Sequence, residues 1–432
     1  MSSGKKINII TLGCSKNIVD SEKLLKQLQS GGYSIVHDSE DTSAGTVIIN
    51  TCGFIRDAKE ESIDTILRFV KAREAGKIEN LYVMGCLAER YMEDMKHEIP
   101  EVSRYFGVND INSILEVLGI KFSNKLIYDR TLTGPGHYAY LKISEGCDRT
   151  CAFCAIPLIR GNCISRPMEE LVAEAEILAS KGVKELILIA QDLSYYGIDL
   201  YKTRKLPALL EKLLKIKEFE WIRLHYLYPA DFPMELLEII RANPSVCRYI
   251  DIPIQHISDN MLTKMRRSHG REETEKLLYR IREILPEAAI RTTLIAGYPG
   301  ETTKDYEELK RFVTEFRFNR MGVFAYSHEE DTYSWKNYPD EIPSEVKDER
   351  VNELMEIQQV ISTELNQAMI DREIKVLIDR REGDFFVGRT EFDSPEVDQE
   401  VLIPAEFRLT TGLFYTIRIN EATEFDLYGY PV

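Results

Sequence analysis

The stretch CDRTCAFC, residues 147–154, places three thiols close together, at Cys147, Cys151 and Cys154. Cysteine thiolates at such short spacings hold iron–sulfur clusters. A structural zinc site needs four ligands, usually supplied as paired arms, and Cys163 lies well beyond this stretch. A site with three protein ligands keeps one position open for a substrate, as catalytic metal sites do. The spacing therefore favours a [4Fe–4S] cluster with one open iron over a zinc ion.

Three further cysteines each follow an apolar run that has the character of a β-strand. Cys14 follows IITLG, Cys52 follows VIINT and Cys86 follows YVMG, and helical patterns separate these runs. Such alternation is typical of a doubly wound parallel sheet, whose strands all end at one edge. We therefore expect the three cysteines to converge on a second inorganic group. The alternative is that they pack as three small buried apolar side chains.

CDRTCAFC lies in a second series of alternating strands and helices, which is longer than the first and must position the three cysteines. Six strand–helix units predict an open TIM-like (β/α)6 barrel, and CDRTCAFC follows its first strand, at the carboxyl rim where such barrels carry out chemistry. Polar residues that follow the later strands should reach the same rim. The strand candidates are 139–144, 185–192, 221–227, 249–255, 290–301 and 321–327.

The tail, residues 366–432, follows a long helical pattern at 344–368 and contains five short strand patterns with turns between them. This predicts a small antiparallel β-barrel that resembles the TRAM domain, an OB-like module. The tail has seven basic and fourteen acidic residues, a net charge of −7, whereas an RNA-binding barrel should be electropositive. We expect it to attract a basic surface through Asp393, Glu396, Asp398 and Glu400. The alternative is a solvated acidic loop without a partner.

Composition limits the class of protein. The 432 residues are enough for two or three domains, and the net charge of −16 argues against broad binding to a nucleic-acid backbone. No apolar run approaches the length of a membrane span, and the amino terminus does not resemble a signal peptide. We expect a cytoplasmic protein without a membrane partner, in which cysteines stay reduced and bind metal or do chemistry.

Several motifs together resemble the methylthiotransferases, a family of radical S-adenosylmethionine (SAM) enzymes, and the resemblance covers essentially the whole chain. It is carried by TLGCSKNIVDSE (11–22), NTCGFI (50–55), EGCDRTCAFCAIP (145–157) and DIPIQHIS (251–258). It implies two [4Fe–4S] clusters and SAM as cofactors. It also implies an amino-terminal domain at 1–122, a radical SAM core at 133–364 and a TRAM-like barrel at 366–432.

The resemblance assigns roles to individual residues. Cys147, Cys151 and Cys154 would hold the catalytic cluster whose open iron binds SAM, with Phe153 shielding it, and the other triad would hold an auxiliary cluster for sulfur insertion. The resemblance also implies polar rim residues that contact SAM, whereas Cys163 and Cys247 match no ligand position and are interpreted as structural. The auxiliary ligands would be Cys14, Cys52 and Cys86, and the candidate SAM contacts are Gln191, Asp192, His256, Gly297, Gly300 and Glu301.

Within this family, CSKNIVDSE, RLHYLYP, GVFAYSHEEDT and the terminal DLYG resemble the branch that modifies a ribosomal protein. That branch adds a methylthio group to the β-carbon of an aspartate of small-subunit ribosomal protein S12, which is basic. The other branch, the tRNA adenosine 2-methylthiotransferases, fits the acidic charge less well, so tRNA is an unlikely partner. We also expect a reducing partner such as flavodoxin or ferredoxin. A non-catalytic iron–sulfur carrier or scaffold is an alternative from a different class.

Overall fold

The computed structural model describes residues 6–39 and 44–432, and the predicted first domain, 1–122, includes both stretches outside these ranges. The chain begins with a parallel sheet in the strand order β2–β1–β3–β4–β5. The strands are β1 (Lys6–Thr11), β2 (Ser34–His37), β3 (Thr46–Thr51), β4 (Asn80–Gly85) and β5 (Arg104–Tyr105). The helices are α1 (Ser15–Ser30), α2 (Arg56–Glu74), α3 (Cys86–Glu98) and α4 (Ile111–Val117).

Both faces of this sheet are buried, which explains its near-continuous apolar strands. In β1, Ile7 and Ile9 pack in the core on one face, and Ile10 packs in the core on the other. In β3, Ile48 packs in the same core as Ile7 and Ile9, and Ile49 packs in the same core as Ile10. The predicted doubly wound parallel sheet is confirmed for the described residues.

The middle of the chain forms six parallel strands that curve into an open barrel. Two three-stranded sheets, β6–β9–β10 and β11–β12–β13, are joined by a parallel bridge between Ile222 and Val246. This confirms the predicted open (β/α)6 barrel, with β6 and β13 as its two edges. The strands are β6 (Tyr138–Lys142), β9 (Glu185–Ile189), β10 (Trp221–Leu224), β11 (Tyr249–Asp251), β12 (Ala289–Ala296) and β13 (Arg320–Ala325).

Helices cover the outer face of the barrel and bury Leu141, Leu188, Leu224, Ile250 and Leu294 from its strands. A two-stranded antiparallel ribbon, β7 (Ser144–Glu145) with β8 (Ile164–Ser165), follows the first strand. The helices are α5 (Ile156–Arg160), α6 (Met168–Ser180), α7 (Ile198–Tyr201), α8 (Leu206–Leu213), α9 (Glu235–Ala242), α10 (Asp259–Lys264), α11 (Arg271–Ile284), α12 (Thr303–Phe316), α13 (Tyr333–Asn337) and α14 (Ser344–Gln367).

The tail is a closed five-stranded barrel in the order β14–β15–β16–β18–β17. Its neighbouring strands are antiparallel, as predicted, except that β16 and β18 pair in parallel to close the barrel. The strands are β14 (Glu373–Glu382), β15 (Phe385–Arg389), β16 (Val401–Pro404), β17 (Phe414–Ala422) and β18 (Leu427–Pro431).

The acidic segment 393–400, predicted from the sequence to attract a basic surface, is only partly free, because two of its four carboxylates are buried against arginines. Asp393 is fully buried, and its Oδ1 accepts a hydrogen bond from Arg320 Nε at 2.9 Å. The Asp398 carboxylate lies 3.4 Å from Arg291 Nε and accepts from the hydroxyl of Tyr249 at 2.7 Å.

The two remaining carboxylates of the segment are also engaged within the chain. Glu396 accepts a hydrogen bond from the hydroxyl of Tyr138 at 3.2 Å, and Glu400 pairs with Arg380 at 2.6 Å. Burial of a carboxylate is favourable only with a paired cation, so Asp393 and Asp398 form a plug for the amino-terminal end of the (β/α)6 barrel, whereas Glu396 stays exposed.

A second group of buried charges extends the same contact between the two barrels. Glu185, the first residue of β9, pairs with Arg223 at 2.7 Å and with Arg389 of the tail at 2.8 Å. Burial by itself would raise the pKa of Glu185, but the two guanidinium groups outweigh it and hold that pKa below its usual value. Asp379 of the tail accepts from Arg389 at 2.5 Å and lies 2.8 Å from His137. The tail is therefore fixed to the barrel by buried ion pairs.

Within residues 6–39 and 44–432, no helix is long and apolar enough to cross a membrane.

The substitution Asp393→Asn should lower the free energy of unfolding by about 3–5 kcal/mol, because it leaves the largely buried Arg320 without its carboxylate. Urea denaturation of the reconstituted protein, followed by Trp221 fluorescence in a Trp335→Phe background, measures this. Trp221 reports on the contact because its ring lies 4.7 Å from that of Phe414 in the tail. The matched control is Glu406→Gln, an exposed carboxylate of the tail, which should stay within about 0.5 kcal/mol. Equal midpoints for the two variants would contradict the plug.

Candidate functional site

The first cysteine triad lies at the carboxyl edge of the amino-terminal sheet. Cys14, Cys52 and Cys86 follow β1, β3 and β4, which are adjacent strands. Gly13 has a φ of +88°, and a Cβ atom there would lie 2.7 Å from Cys52 Cβ and 3.0 Å from Cys52 Sγ. Glycine is therefore required where the chain before Cys14 crosses Cys52. The topology brings together the three cysteines that the strand pattern singled out.

Burial makes the thiols of Cys52 and Cys86 poor acids in the absence of a positive partner. Desolvation raises the pKa of Cys86 to about 11 and raises that of Cys52 above its usual value. The neighbouring sulfur of Cys14 adds to both shifts, whereas the Arg160 guanidinium opposes them. A metal ligand must be the thiolate, so this triad gains most by binding a group that carries positive charge.

The second triad lies in a loop whose base is closed by backbone hydrogen bonds. The β7–β8 ribbon joins the two ends of the loop, and the Cys147 amide donates to the Gly161 carbonyl at 3.0 Å. Burial raises the pKa of Cys147 to about 12 and raises that of Cys154 further. Phe153 packs against an apolar cluster that includes Met265. The loop is thus a rigid holder for three half-buried sulfurs.

Helix α5, directly after the second triad, connects that triad to the first. Ala155 and Ile159 pack against Cys86. Arg160, the last residue of α5, places its Nη2 atom 3.3 Å from Cys86 Sγ and 2.6 Å from Asn17 Oδ1. Its Nη1 atom donates to Glu145 at 2.8 Å and lies 3.3 Å from Asp20. One buried guanidinium therefore links the holder of the second triad to a sulfur of the first.

The amino-terminal domain spans both edges of the open barrel. At the β6 edge, Lys142 forms a buried ion pair with Asp20 of α1. At the β13 edge, Glu329 pairs with Lys59 at 2.8 Å and with Arg90 at 2.7 Å. The carboxyl edge that carries the first triad is in this way held over the carboxyl rim that carries the second.

Cations and one aromatic ring surround the second triad. Arg267 Nη1 lies 3.4 Å from Cys151 Sγ, and the Tyr228 hydroxyl lies 3.9 Å from the same sulfur. The guanidinium groups of Arg267 and Arg149 lie 4.2 Å and 4.0 Å from the centre of the Tyr228 ring. The charge of Arg267 also opposes the rise that burial causes in the pKa of Cys154.

Gln191 and Asp192, two of the predicted SAM contacts, lie on the rim near the second triad. Asp192 accepts a hydrogen bond from Arg149 Nε at 2.9 Å and also caps the turn at Ser194. Gln191 donates to Glu145 at 2.8 Å, but its buried Oε1 atom has no hydrogen-bond partner. Because buried polar atoms are seldom left unpaired, Gln191 fits a ligand that supplies a donor.

The other predicted SAM contacts form a separate hydrogen-bonded group beyond β11 and β12. Glu301 is fully buried and accepts from the Gly297 amide at 2.5 Å and from Arg350 at 2.6 Å. His256, also fully buried, lies 3.1 Å from Glu301. A Cβ atom on Gly297 or Gly300 would meet the side chain of a packed lysine. These residues shape the rim; their contact with SAM stays a prediction.

The donor sets fit a cluster better than a single ion. Each triad supplies three thiols, one fewer than a structural zinc site uses. A four-iron cluster receives each thiolate at a different iron and can keep its fourth iron open. The two triads therefore fit two four-iron clusters better than two structural zinc ions.

Family models match three parts of the chain. Residues 6–107 match "Uncharacterized protein family UPF0004", residues 141–313 match the "Radical SAM superfamily", and residues 370–432 match the "TRAM domain".

The family is identified from relatives that match over nearly the whole chain. The ribosomal protein uS12 methylthiotransferase RimO of Phocaeicola vulgatus is 56% identical over 98% of this chain and 98% of its own. The RimO of Christiangramia forsetii is 55% identical over 99% of this chain and 94% of its own. The chain belongs to the RimO family of methylthiotransferases. It is a radical SAM enzyme that uses [4Fe–4S] clusters and SAM.

A solved structure supports the fold. The radical SAM methyltransferase TsrM from Kitasatospora setae superposes with a TM-score of 0.56, over 74% of this chain and 73% of its own, at 12% identity.

Several residues of the site were not found from the sequence. Arg160 and Arg267 approach cysteine sulfurs, and Arg149 lies over Tyr228. Arg149 stands within CDRTCAFC and Arg160 shortly after it, which was the available signal for these two, whereas nothing in its local sequence marks Arg267. Lys16 stands two positions after Cys14, and that closeness to a ligand candidate was the available signal.

The substitution Arg160→Met should make the reduction potential of the auxiliary cluster more negative, because hydrogen bonds to the ligand sulfurs stabilise the reduced cluster. It should leave the potential of the SAM-binding cluster unchanged. The matched variant Arg267→Met should do the reverse, since Arg267 approaches Cys151 instead of Cys86. Redox titration followed by electron paramagnetic resonance measures both potentials. An equal shift of both clusters in either variant would contradict this assignment.

Proposed function

We propose that this enzyme adds a methylthio group to the β-carbon of an aspartate of the small-subunit ribosomal protein uS12. The observation that carries this proposal is the placement of two cysteine triads at facing rims, in a chain whose relatives over nearly the full length are uS12 methylthiotransferases. Two triads linked through Arg160 provide one site for radical formation beside another for sulfur transfer.

The two triads have separate tasks in this proposal. Cys147, Cys151 and Cys154 would hold the cluster that, when bound, would supply the electron for the reductive cleavage of SAM. The ribbon-closed loop keeps those sulfurs fixed, and Gln191 Oε1 is free to accept a hydrogen bond from SAM. The other triad, Cys14, Cys52 and Cys86, holds the auxiliary cluster from which sulfur is delivered.

Charge supports a basic protein substrate over tRNA. The whole chain has a net charge of −16 and the tail one of −7, both unfavourable to a polyanion. Because Asp393 and Asp398 are buried, attraction would come from exposed acidic residues, including Glu396 and others outside the segment 393–400. A small reducing protein such as flavodoxin or ferredoxin would supply electrons.

The domain limits of 1–122, 133–364 and 366–432 also stay a proposal. The three family matches fall within these limits. Ion pairs between Asp20 and Lys142 and between Glu185 and Arg389 join the three parts. We propose that they act as one unit.

The direct test is mass spectrometry of uS12 after anaerobic reaction with the reconstituted enzyme, SAM and a reductant. A methylthio increment on one aspartate is the expected result, and a tRNA digest analysed in parallel should show none. An increment on tRNA adenosine alone would favour the other branch. Absence of SAM cleavage would favour the iron–sulfur carrier.

Reconstituted protein should contain about eight irons, which corresponds to two [4Fe–4S] clusters. The variant Cys14→Ala should lose the auxiliary cluster and all methylthiolation while it still cleaves SAM to 5′-deoxyadenosine. Iron analysis and product chromatography measure these quantities. The matched control is Cys163→Ala, a buried cysteine outside both triads, which should keep the iron content of the parent. Loss of SAM cleavage in Cys14→Ala would show that the triads do not divide the work in this way.

A further inference from the structure

Lys16 is a buried cation for which the fold provides no carboxylate. Seven lysine and arginine residues are buried in the described part of the chain, and six of them form ion pairs with Asp or Glu. Lys16 is the exception, although its exposure is only 7%. The six paired residues are Arg130, Lys142, Arg160, Arg223, Lys347 and Arg389.

The position of Lys16 relates it to the reaction site. It lies in the first turn of α1, two residues after Cys14, on the edge that carries the first triad. Its Nζ atom lies 3.8 Å from the centre of the Tyr226 ring, which follows β10 on the carboxyl rim of the barrel. The ammonium therefore bridges the amino-terminal domain and the rim.

The groups around Lys16 favour the binding of an anion. The first turn of α1 has no acidic residue and no capping side chain, so its amide groups add to the positive potential. His225, adjacent to Tyr226, is kept neutral: burial first, and then the charges of Arg223 and Lys16, hold its pKa well below the usual value. Arg223 and Arg291, the arginines that face His225, already have the carboxylate partners Glu185 and Asp398. Lys16 is thus a buried cation that is available to a ligand.

The backbone of Tyr226, whose ring lies against the Lys16 ammonium, is in a strained conformation. Its φ of +66° is unusual for a residue other than glycine, and its amide donates to Asp251 at 3.0 Å. The ring is 37% exposed although it supports a buried ammonium. Strain of this kind is maintained where a side chain must be presented to a ligand.

We propose that Lys16, supported by Tyr226, binds the side-chain carboxylate of the substrate aspartate and so sets the specificity for aspartate. This rests on the proposed function above. The carboxyl carbon is bonded directly to the β-carbon, so one ion pair fixes the reacting carbon beside the first triad. A buried ion pair of this type would also discriminate against asparagine, which has the same shape and no charge.

The test compares two peptides of uS12 that span the modified aspartate, one with aspartate and one with asparagine at that position. Their dissociation constants for the reconstituted enzyme are measured anaerobically by fluorescence anisotropy. The parent enzyme should bind the aspartate peptide at least about 30-fold more tightly, since an unpaired buried charge is costly. In Lys16→Met the ratio should fall to within about 3-fold, and Lys16→Arg should restore part of it.

Lys26→Met is the matched control, because Lys26 is on the same helix but pairs with Asp129 at 2.8 Å. It should keep the ratio of the parent. If Lys16→Met also keeps the ratio, the inference is wrong while the proposed function stands. If Lys16→Met instead weakens SAM binding and keeps the ratio, Lys16 serves the cofactor and the inference is again wrong. If the parent binds both peptides equally, the inference is wrong, whereas the proposed function is judged separately by the methylthio increment on uS12.

Discussion

The buried ion network at Arg160 is the interaction on which the rest of the site depends. Arg160 touches a sulfur of the first triad and ends the helix that follows the second. Its charge is balanced by Asp20 from the amino-terminal domain and Glu145 from the barrel, and Lys142 pairs with both. Buried charges of this kind are stable only when every partner is present. The network therefore fixes the distance and orientation between two triads that are far apart in the sequence.

Buried ion pairs also determine the structure at the other end of the barrel. The tail supplies Asp393, Asp398 and Arg389 to the amino-terminal ends of the strands, where they pair with Arg320, Arg291 and Glu185. Ser394 lies 2.9 Å from His225, which immediately precedes Tyr226. The plug of the barrel floor thus reaches the residue that supports Lys16. In this chain, the TRAM barrel supports the active site from below.

The two ends of the barrel interior differ in how completely their charged and polar groups are paired. This difference indicates where the functional site lies. At the floor, acidic and basic groups are matched, as expected for a structural contact. At the rim, Arg149 pairs with Asp192, but Arg267 and Lys16 lie over tyrosine rings without a carboxylate partner among the described residues, and Gln191 Oε1 has no hydrogen-bond partner. Unmatched polar groups that are buried cost free energy. Their concentration between the two triads is what a site for an anionic substrate and a polar cofactor requires.

The sequence alone determined the elements and the chemistry. Strand-like runs that end in Cys14, Cys52 and Cys86, and the spacing of CDRTCAFC, predicted the parallel sheet, the open barrel and two groups of ligands, because short-range periodicity and ligand spacing are local properties. The tertiary structure decided which charges pair. Segment 393–400 looked like a free acidic surface, and only the fold shows Asp393 and Asp398 buried against arginines from distant strands. The contacts of Arg160 and Lys16 were likewise visible only in the tertiary structure. The partners of a buried charge are set by contacts between domains, which no local sequence pattern records.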